Sequence, residues 1–332
     1  MTIEVIKPGL LTTVQDLGRF GYQRFGVVAG GVMDEWAHRL ANLMVGNDAD
    51  AATLEVTLQG PSLRFGATAL IALCGAEFAA RVDRTALPHG RPVLVRSGAV
   101  LDFRALERGC RAYLAVRGGI RVPPVMGSRS TYIRAALGGV EGRALRKGDA
   151  LPIAPHAPGW FPALEAALRA GDAPCASVRW SAGDSAAGAG AHPVRVIAGP
   201  QWELFSQEAR ALFLGTEFRV SVNSDRMGYR LSGATIKPRR AAEMISEAVA
   251  FGTIQVPPDG NPIILMADRQ TTGGYPKIAQ VAAVDLPRLA QTRPLEPVRF
   301  ALATPGEAQR EYLAREAELA LVRESVDLRR RG

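Results

Sequence analysis

Acid, guanidinium, amide and hydroxyl side chains crowd most densely into Asp268, Arg269, Gln270, Thr271 and Thr272, just ahead of Gly273, Gly274 and Tyr275. The run follows directly on the apolar stretch Ile263 to Met266, so a buried strand would deliver these groups together. Paired glycines permit positive φ and a close approach of backbone to a ligand, and their neighbouring N–H groups would make an anion-binding nest. The plainer alternative is a polar hairpin whose Asp and Thr side chains cap their own turn. Seven consecutive polar or glycine positions behind an apolar strand favour a site.

Three other segments carry related groups. Asn223 to Gly233 holds a second acid and base pair, Asp225 and Arg226, which forms either part of a site or an Asx turn with an internal ion pair. Ser128, Arg129 and Ser130 ring a guanidinium with hydroxyls, a combination that suits a carboxylate or phosphate. Gln15, Asp16 and Arg19 precede Gly30 and Gly31 at the start of a predicted helix, where free N–H groups would hold an anion unless Asp34 caps them. An acid beside an arginine acts as a base or orients its neighbour, and the adjacent positive charge favours orientation.

Familiar catalytic signatures are missing. The chain has no GxxxxGK[ST] phosphate loop, no GxGxxG, no GxSxG elbow and no biotin-bearing Met-Lys-Met. His38, His89, His156 and His192 are too scattered for HExxH or His-x-His, so no metal site is expected. Cys74, Cys110 and Cys175 are odd in number and widely spaced, which fits a reducing cytoplasm better than a disulfide framework.

The elements that must position these groups read as mainly β. Short apolar runs bounded by Gly, Pro, Asp or Asn recur at Ile3 to Ile6, Ala69 to Leu73, Pro92 to Arg96, Tyr113 to Val116, Val194 to Ala198, Phe218 to Val222, Thr253 to Val256, Ile263 to Met266 and Pro297 to Ala301. Helical patterning is confined to Met33 to Met44, Leu164 to Ala170, Trp202 to Phe213 and the charged stretch Glu307 to Leu321. Without regular βαβ alternation a doubly wound nucleotide fold is disfavoured. The reading divides the chain into an N-terminal β-barrel-like subdomain, 1–155, an Ala/Pro/Gly-rich connector, 156–192, a C-terminal subdomain, 193–305, and a charged helix and tail, 306–332. Gapped echoes between the halves, such as DLGRFGYQRFG against DRMGYRLSG, suggest a duplicated barrel unit.

With 332 residues and 47% hydrophobic content the chain can bury a large core. It carries a net charge of +8, but only Lys7, Lys147, Lys237 and Lys277 are lysines, leaving 36 of the 40 basic residues as arginine. These arginines are scattered and aromatics reach just 6%, so a nucleic-acid partner is disfavoured, whereas an anionic small molecule would use the same potential. No apolar run is long enough for a membrane span.

Taken in order, QDLGRFGYQRFGV, GGVMDEWAHRLAN, LEVTLQGPSLRF, RAYLAVRGGIRVPPVMGSRST, SDRMGYRLSG, IQVPPDGNPIILMADRQTTGGYPKIAQV and DLPRLAQ resemble the allophanate hydrolase subunit 2 family, also called urea amidolyase-related or biotin-dependent carboxyltransferase proteins. The resemblance runs from about Gln15 to Phe300. It implies two cyclophilin-like β-barrel subdomains with a few peripheral helices, and a complex with a homologue of the family's B-type partner. Stand-alone bacterial members include the C-type component of 5-oxoprolinase, which works with A-type and B-type components to open the 5-oxoproline lactam to L-glutamate with ATP. The resemblance therefore implies one component of an ATP-dependent amide hydrolase, with ATP used by the complex. One alternative it carries is carboxyl transfer to urea or another amide from biotin supplied in trans. The other is a non-catalytic regulator that binds a kinase-inhibitor-like B-type partner. Both chemical readings place negative charge on the oxygen of a small cyclic amide. Donors for that oxygen would come from Arg269, Thr271, Thr272, Gly273 and Gly274, with Gln270 and Tyr275 beside them. Asp268 or Asp225 would orient or deprotonate, and Arg129 or Arg226 would clamp a substrate carboxylate.

Overall fold

The computed structural model describes residues 1–154, 159–183, 192–239 and 244–330. They gather into two compact units: residues 1–18, 34–183 and 317–330 in the first, and 19–33 and 192–316 in the second. The fold is mainly β.

In the first unit, one six-stranded sheet runs in the order Ala150–Pro152, Thr2–Lys7, Ser62–Phe65, Val100–Asp102, Arg81–Val82, Thr85–Ala86. A second has the order Cys175–Ser177, Val93–Val95, Ala69–Phe78, Leu106–Val116, Thr53–Thr57, Leu11–Gln15. Side chains alternate across a strand, so each sheet has two distinct faces. Ile3, Val5, Leu63, Phe65 and Leu101 of the first sheet and Leu54, Val56, Leu73, Ala112 and Leu114 of the second share one core. The other face of the second sheet is polar yet buried: the register aligns Thr13 with Glu55, Glu55 with Tyr113, and Tyr113 with Cys74. Helix α1 (Glu35–Met44) packs over strands Ala69–Phe78 and Leu106–Val116.

The stretch read as a connector contains ordered elements. Within 156–192, helix α2 (Pro162–Ala170) starts with Pro at a position where no N–H is needed, and strand Cys175–Ser177 pairs with Val93–Val95. The helix is the one expected at Leu164 to Ala170, anchored among its apolar residues by Leu164 and Leu168, whereas the short strand was hidden by low side-chain content. The Ser185 to Ala191 patch lies outside the described residues.

The second unit holds an eight-stranded sheet in the order Pro297–Val298, Phe218–Val220, Gly228–Ser232, Ile263–Leu265, Thr253–Gln255, Lys277–Val281, Val194–Ala198, Phe300–Leu302. Its two edge strands are separated in sequence only by Arg299, so the sheet curls almost into a closed barrel. Phe213, Phe218 and Phe300 fill the interior, with Phe213 stacked on Phe300 at 4.8 Å between centroids. Helix α3 (Gln207–Gly215) is capped by Ser206, α4 (Leu286–Ala290) is short, and α5 (Pro305–Arg329) starts at a reciprocal capping box. In that box Thr304 Oγ1 accepts from Glu307 N, and Glu307 Oε2 accepts from Thr304 N.

Candidate functional site

Gly228 sits opposite Leu265 in the second unit's sheet, so the residues before the first strand and after the second are neighbours. The ladder continues with Met266 N to Met227 O at 2.9 Å and Asp268 N to Arg226 O at 2.8 Å. Two sequence-distant motifs are thereby joined, and the acid pairs across them. Arg226 Nε donates to Asp268 Oδ2 and Nη2 to Oδ1, both at 2.9 Å. Its Nη2 also donates to the Gly31 carbonyl at 2.5 Å. Gly30 and Gly31 adopt φ of 64° and 92°, which only glycine takes readily. A Cβ on Gly30 would lie 3.6 Å from Asp268 Oδ1 and 3.8 Å from Arg19 Nη1. Arg19 is fully buried, with its N–H on the Ala29 carbonyl. Arg19, Gly30, Gly31, Arg226 and Asp268 thus gather around one point.

The acid expected beside Arg226 is turned elsewhere. Asp225 Oδ1 accepts from Met227 N at 2.8 Å and Gly228 N at 3.3 Å, the Asx turn of the plainer alternative. Arg269 does not pair with its neighbour as the sequence suggests. Its guanidinium donates at 3.5 Å to the carbonyls of Val249, Met266 and Ala267 and lies 5.8 Å from the Phe251 ring. Burial lowers its pKa, with Asp268 opposing the shift.

Thr272–Gly273 forms a two-stranded ribbon with Glu247–Ala248. Gln270, Thr271 and Gly274 are partly exposed, whereas Thr272 and Tyr275 are exposed. Neither Gly273 nor Gly274 adopts positive φ, so the expected nest does not form. Gly273 packs closely against the Gln255 side chain instead, whose Nε2 a Cβ there would meet at 2.5 Å. Sequence reasoning missed two residues underneath: Gln255, buried, with Nε2 on the Tyr275 carbonyl, and Lys277, buried, with Nζ 2.6 Å from Glu247 Oε2. The lysine bond holds the Glu247 carboxyl below its usual range. Lys277 stands out in the sequence only as one of four lysines.

In the first unit the expected anion clamp is already filled. Asp16 Oδ1 accepts from Ser128 Oγ and Ser130 Oγ at 2.6 Å and from Gly18 N at 2.9 Å, while Oδ2 accepts from Arg129 N. The carboxylate that this serine-rich loop binds is therefore the chain's own. Arg129 Nε donates to the Val122 carbonyl at 3.0 Å. The helix start is filled likewise: Asp34 Oδ1 accepts from Ala37 N at 2.9 Å, so α1 is capped by a side chain.

The buried polar sheet face beside it escaped the sequence reading. Tyr113 OH donates to Glu55 Oε2 at 2.8 Å and accepts from Asp34 N at 2.8 Å. Arg111 Nε lies 3.9 Å from Glu55 Oε1. Burial pushes the Tyr113 phenol well up, drives the Cys74 thiol up to about 12 and lowers His38 to about 4. The signal was an acid set in a strand: Thr53, Glu55 and Thr57 alternate with Leu54 and Val56. Two cavities lie apart from these groups. One of about 300 Å³ in the second unit is bordered by Glu217, Arg288, Thr292 and Arg299, and one of about 430 Å³ in the first by Leu94, Arg96, Glu165 and Leu168.

With this geometry in hand, residues 25–302 match the model for the carboxyltransferase domain, subdomain A and B. The chain belongs to that family. It is 38% identical over 306 residues to the C-type component of Escherichia coli 5-oxoprolinase, covering 92% of this chain and 93% of the relative. It is 34% identical to the urea amidolyase of Lachancea kluyveri over 90% of this chain, but only 17% of that much longer protein. Its fold superposes on the Kluyveromyces lactis urea carboxylase crystal structure with a TM-score of 0.85 and 31% identity, spanning 97% of this chain and 29% of that one. The mainly β architecture, with one nearly closed barrel sheet, is that of carboxyltransferase domains. Among the described residues of this carboxyltransferase-domain protein, no helix is long and apolar enough to cross a membrane.

Proposed function

We propose that the chain is the C-type component of an ATP-dependent 5-oxoprolinase, opening the 5-oxoproline lactam to L-glutamate together with A-type and B-type partners. The observation that carries this reading is the match to the corresponding E. coli 5-oxoprolinase component, 93% of whose length is covered. Similarity to urea amidolyase engages only a small part of that protein, so the fuller correspondence is with the separate 5-oxoprolinase component.

Ring opening places negative charge on the lactam oxygen, and donors fixed in advance stabilise it at little reorganisation cost. In the second unit, Arg226 holds Asp268 and the Gly31 carbonyl rigid at the base of the ribbon, whose Thr271 and Thr272 hydroxyls remain for a ligand. Asp268, gripped by Arg226, orients rather than abstracts protons. ATP is a substrate of the assembled enzyme in this reading, and the chain has no phosphate loop of its own. Purifying the chain with its A-type and B-type partners and measuring glutamate released from 5-oxoproline with ATP tests it. Absence of ATP-dependent glutamate release from the intact assembly refutes it.

The close superposition on urea carboxylase supports a second reading: carboxyl transfer from biotin, supplied on another polypeptide, to urea or a related amide. Its signature would be loss of the carboxyl group from carboxybiotin when urea is added.

A further inference from the structure

We propose that the cavity of about 300 Å³ in the second unit binds a small organic carboxylate. It lies beside the seam of the curled sheet. The two edge strands, Pro297–Val298 and Phe300–Leu302, flank Arg299, whose carbonyl accepts from Val194 N at 2.7 Å. Val298 and Phe300 are buried in the barrel interior, so alternation along the strand turns the Arg299 side chain outward to the cavity. Arg288 of α4 borders it too, its guanidinium held by the carbonyls of His192 and Pro193. Val194, Val298 and Pro297 supply apolar wall.

Charge decides the ligand class. The acids beside these two guanidiniums are also served by other arginines. Glu217 Oε2 accepts from Arg299 Nε at 3.2 Å and Nη2 at 2.8 Å, while its Oε1 lies 3.4 Å from Arg219 Nη2. Asp285, 3.7 Å from Arg288 Nη1, is gripped by Arg195 Nε at 3.0 Å and Nη2 at 2.8 Å. Arg195 meets Glu311 as well, at 3.2 Å. Among the described residues of this network, the guanidiniums of Arg195, Arg219, Arg288 and Arg299 thus outnumber the carboxylates of Glu217, Asp285 and Glu311 by one positive charge. A monoanion balances that excess, and a guanidinium fork matches a carboxylate with parallel N–H bonds. The volume stands at the lower end for small-molecule pockets, which limits the ligand to a few carbons, and the proline and valine walls suit a short hydrocarbon body. None of these residues enters the ring-opening chemistry proposed above, so the inference stands apart from it.

Ligand-observed NMR titrations of the full chain with isobutyrate, and with isobutanol as its neutral counterpart, test the proposal. Wild-type protein should bind isobutyrate about 5-fold more tightly than isobutanol, the upper range for partly exposed ion pairs. Arg299→Gln should reduce that preference to less than about 2-fold at an unchanged melting temperature, because the Arg299 side chain is 64% exposed. Glu217→Gln should strengthen it, since a competing negative charge is removed. Inorganic phosphate should bind more weakly than isobutyrate, having no hydrocarbon body for the apolar walls. Equal binding of isobutyrate and isobutanol, or no binding of isobutyrate, by wild-type protein overturns the proposal. So does a preference that survives Arg299→Gln or fails to rise in Glu217→Gln. Phosphate that binds as tightly as isobutyrate overturns the assignment to an organic carboxylate. Each of these results leaves the proposed function standing.

Discussion

Both oxygens of the Asp268 carboxylate are held by one guanidinium, that of Arg226, at 2.9 Å each. Both side chains are more than nine-tenths buried, so neither charge has water to fall back on. Removing one member of such a pair leaves the other charged and uncompensated. Arg226→Met or Asp268→Leu should each cost about 3–5 kcal/mol in urea unfolding, whereas the two combined should cost clearly less than the sum. Additive losses would show that the pair is not coupled.

His38 makes stability depend on pH. Burial lowers it from 6.5 to about 4, so between these values the unfolded chain binds a proton that the native protein does not. Its contribution is complete above pH 6.5 and lost as the pH falls toward 4, amounting to about 3 kcal/mol. Urea midpoints measured across that window should fall for wild-type protein and lose this component of the slope in His38→Gln.

Arg129 should matter little to substrate binding. Its loop hydroxyls are bonded to Asp16, and its Nε serves the Val122 carbonyl. Arg129→Gln should change KM for 5-oxoproline by less than about 2-fold, where loss of a bidentate carboxylate clamp would raise it about 10-fold or more. Asp16→Ala should instead lower stability by at least about 2 kcal/mol, because it strips a buried partner from two hydroxyls and two amides.

Gly273→Ala should lower thermal stability and turnover together. The new methyl would come within 2.5 Å of the buried Gln255 amide, and the resulting repacking costs about 1–3 kcal/mol. Gly274→Ala faces Ser246 Oγ at 3.3 Å, a milder contact, and should be tolerated better in a melting comparison.

Much of the strand pattern was legible: Val194–Ala198 has the bounds its apolar run suggests, and α1 ends at Met44 as its periodicity requires. The sites were less so, for a common physical reason. The sequence shows arginines, hydroxyls and helix-start amides that need an anion, but it does not show whether the chain brings its own. Asp16 fills the serine loop, Asp34 the start of α1, and Asp268 the Arg226 fork. Each bond spanning more than a hundred residues, as between Asp16 and Ser128, or joining separate strand ends, as between Arg226 and Asp268, depends on sheet register. The reverse error hid Glu55 and Tyr113, because alternating polar residues ordinarily announce a wet face, and this one is dry.

Lys277 has a practical consequence. Lys7, Lys147 and Lys237 are exposed, while Lys277 is buried with its amine held by Glu247. Amine-directed reagents will therefore label the three outer lysines first and can map a bound partner from them. Acylation of Lys277 would require its amine to part from Glu247 and would be recorded once per molecule, as a slow phase behind the three outer lysines.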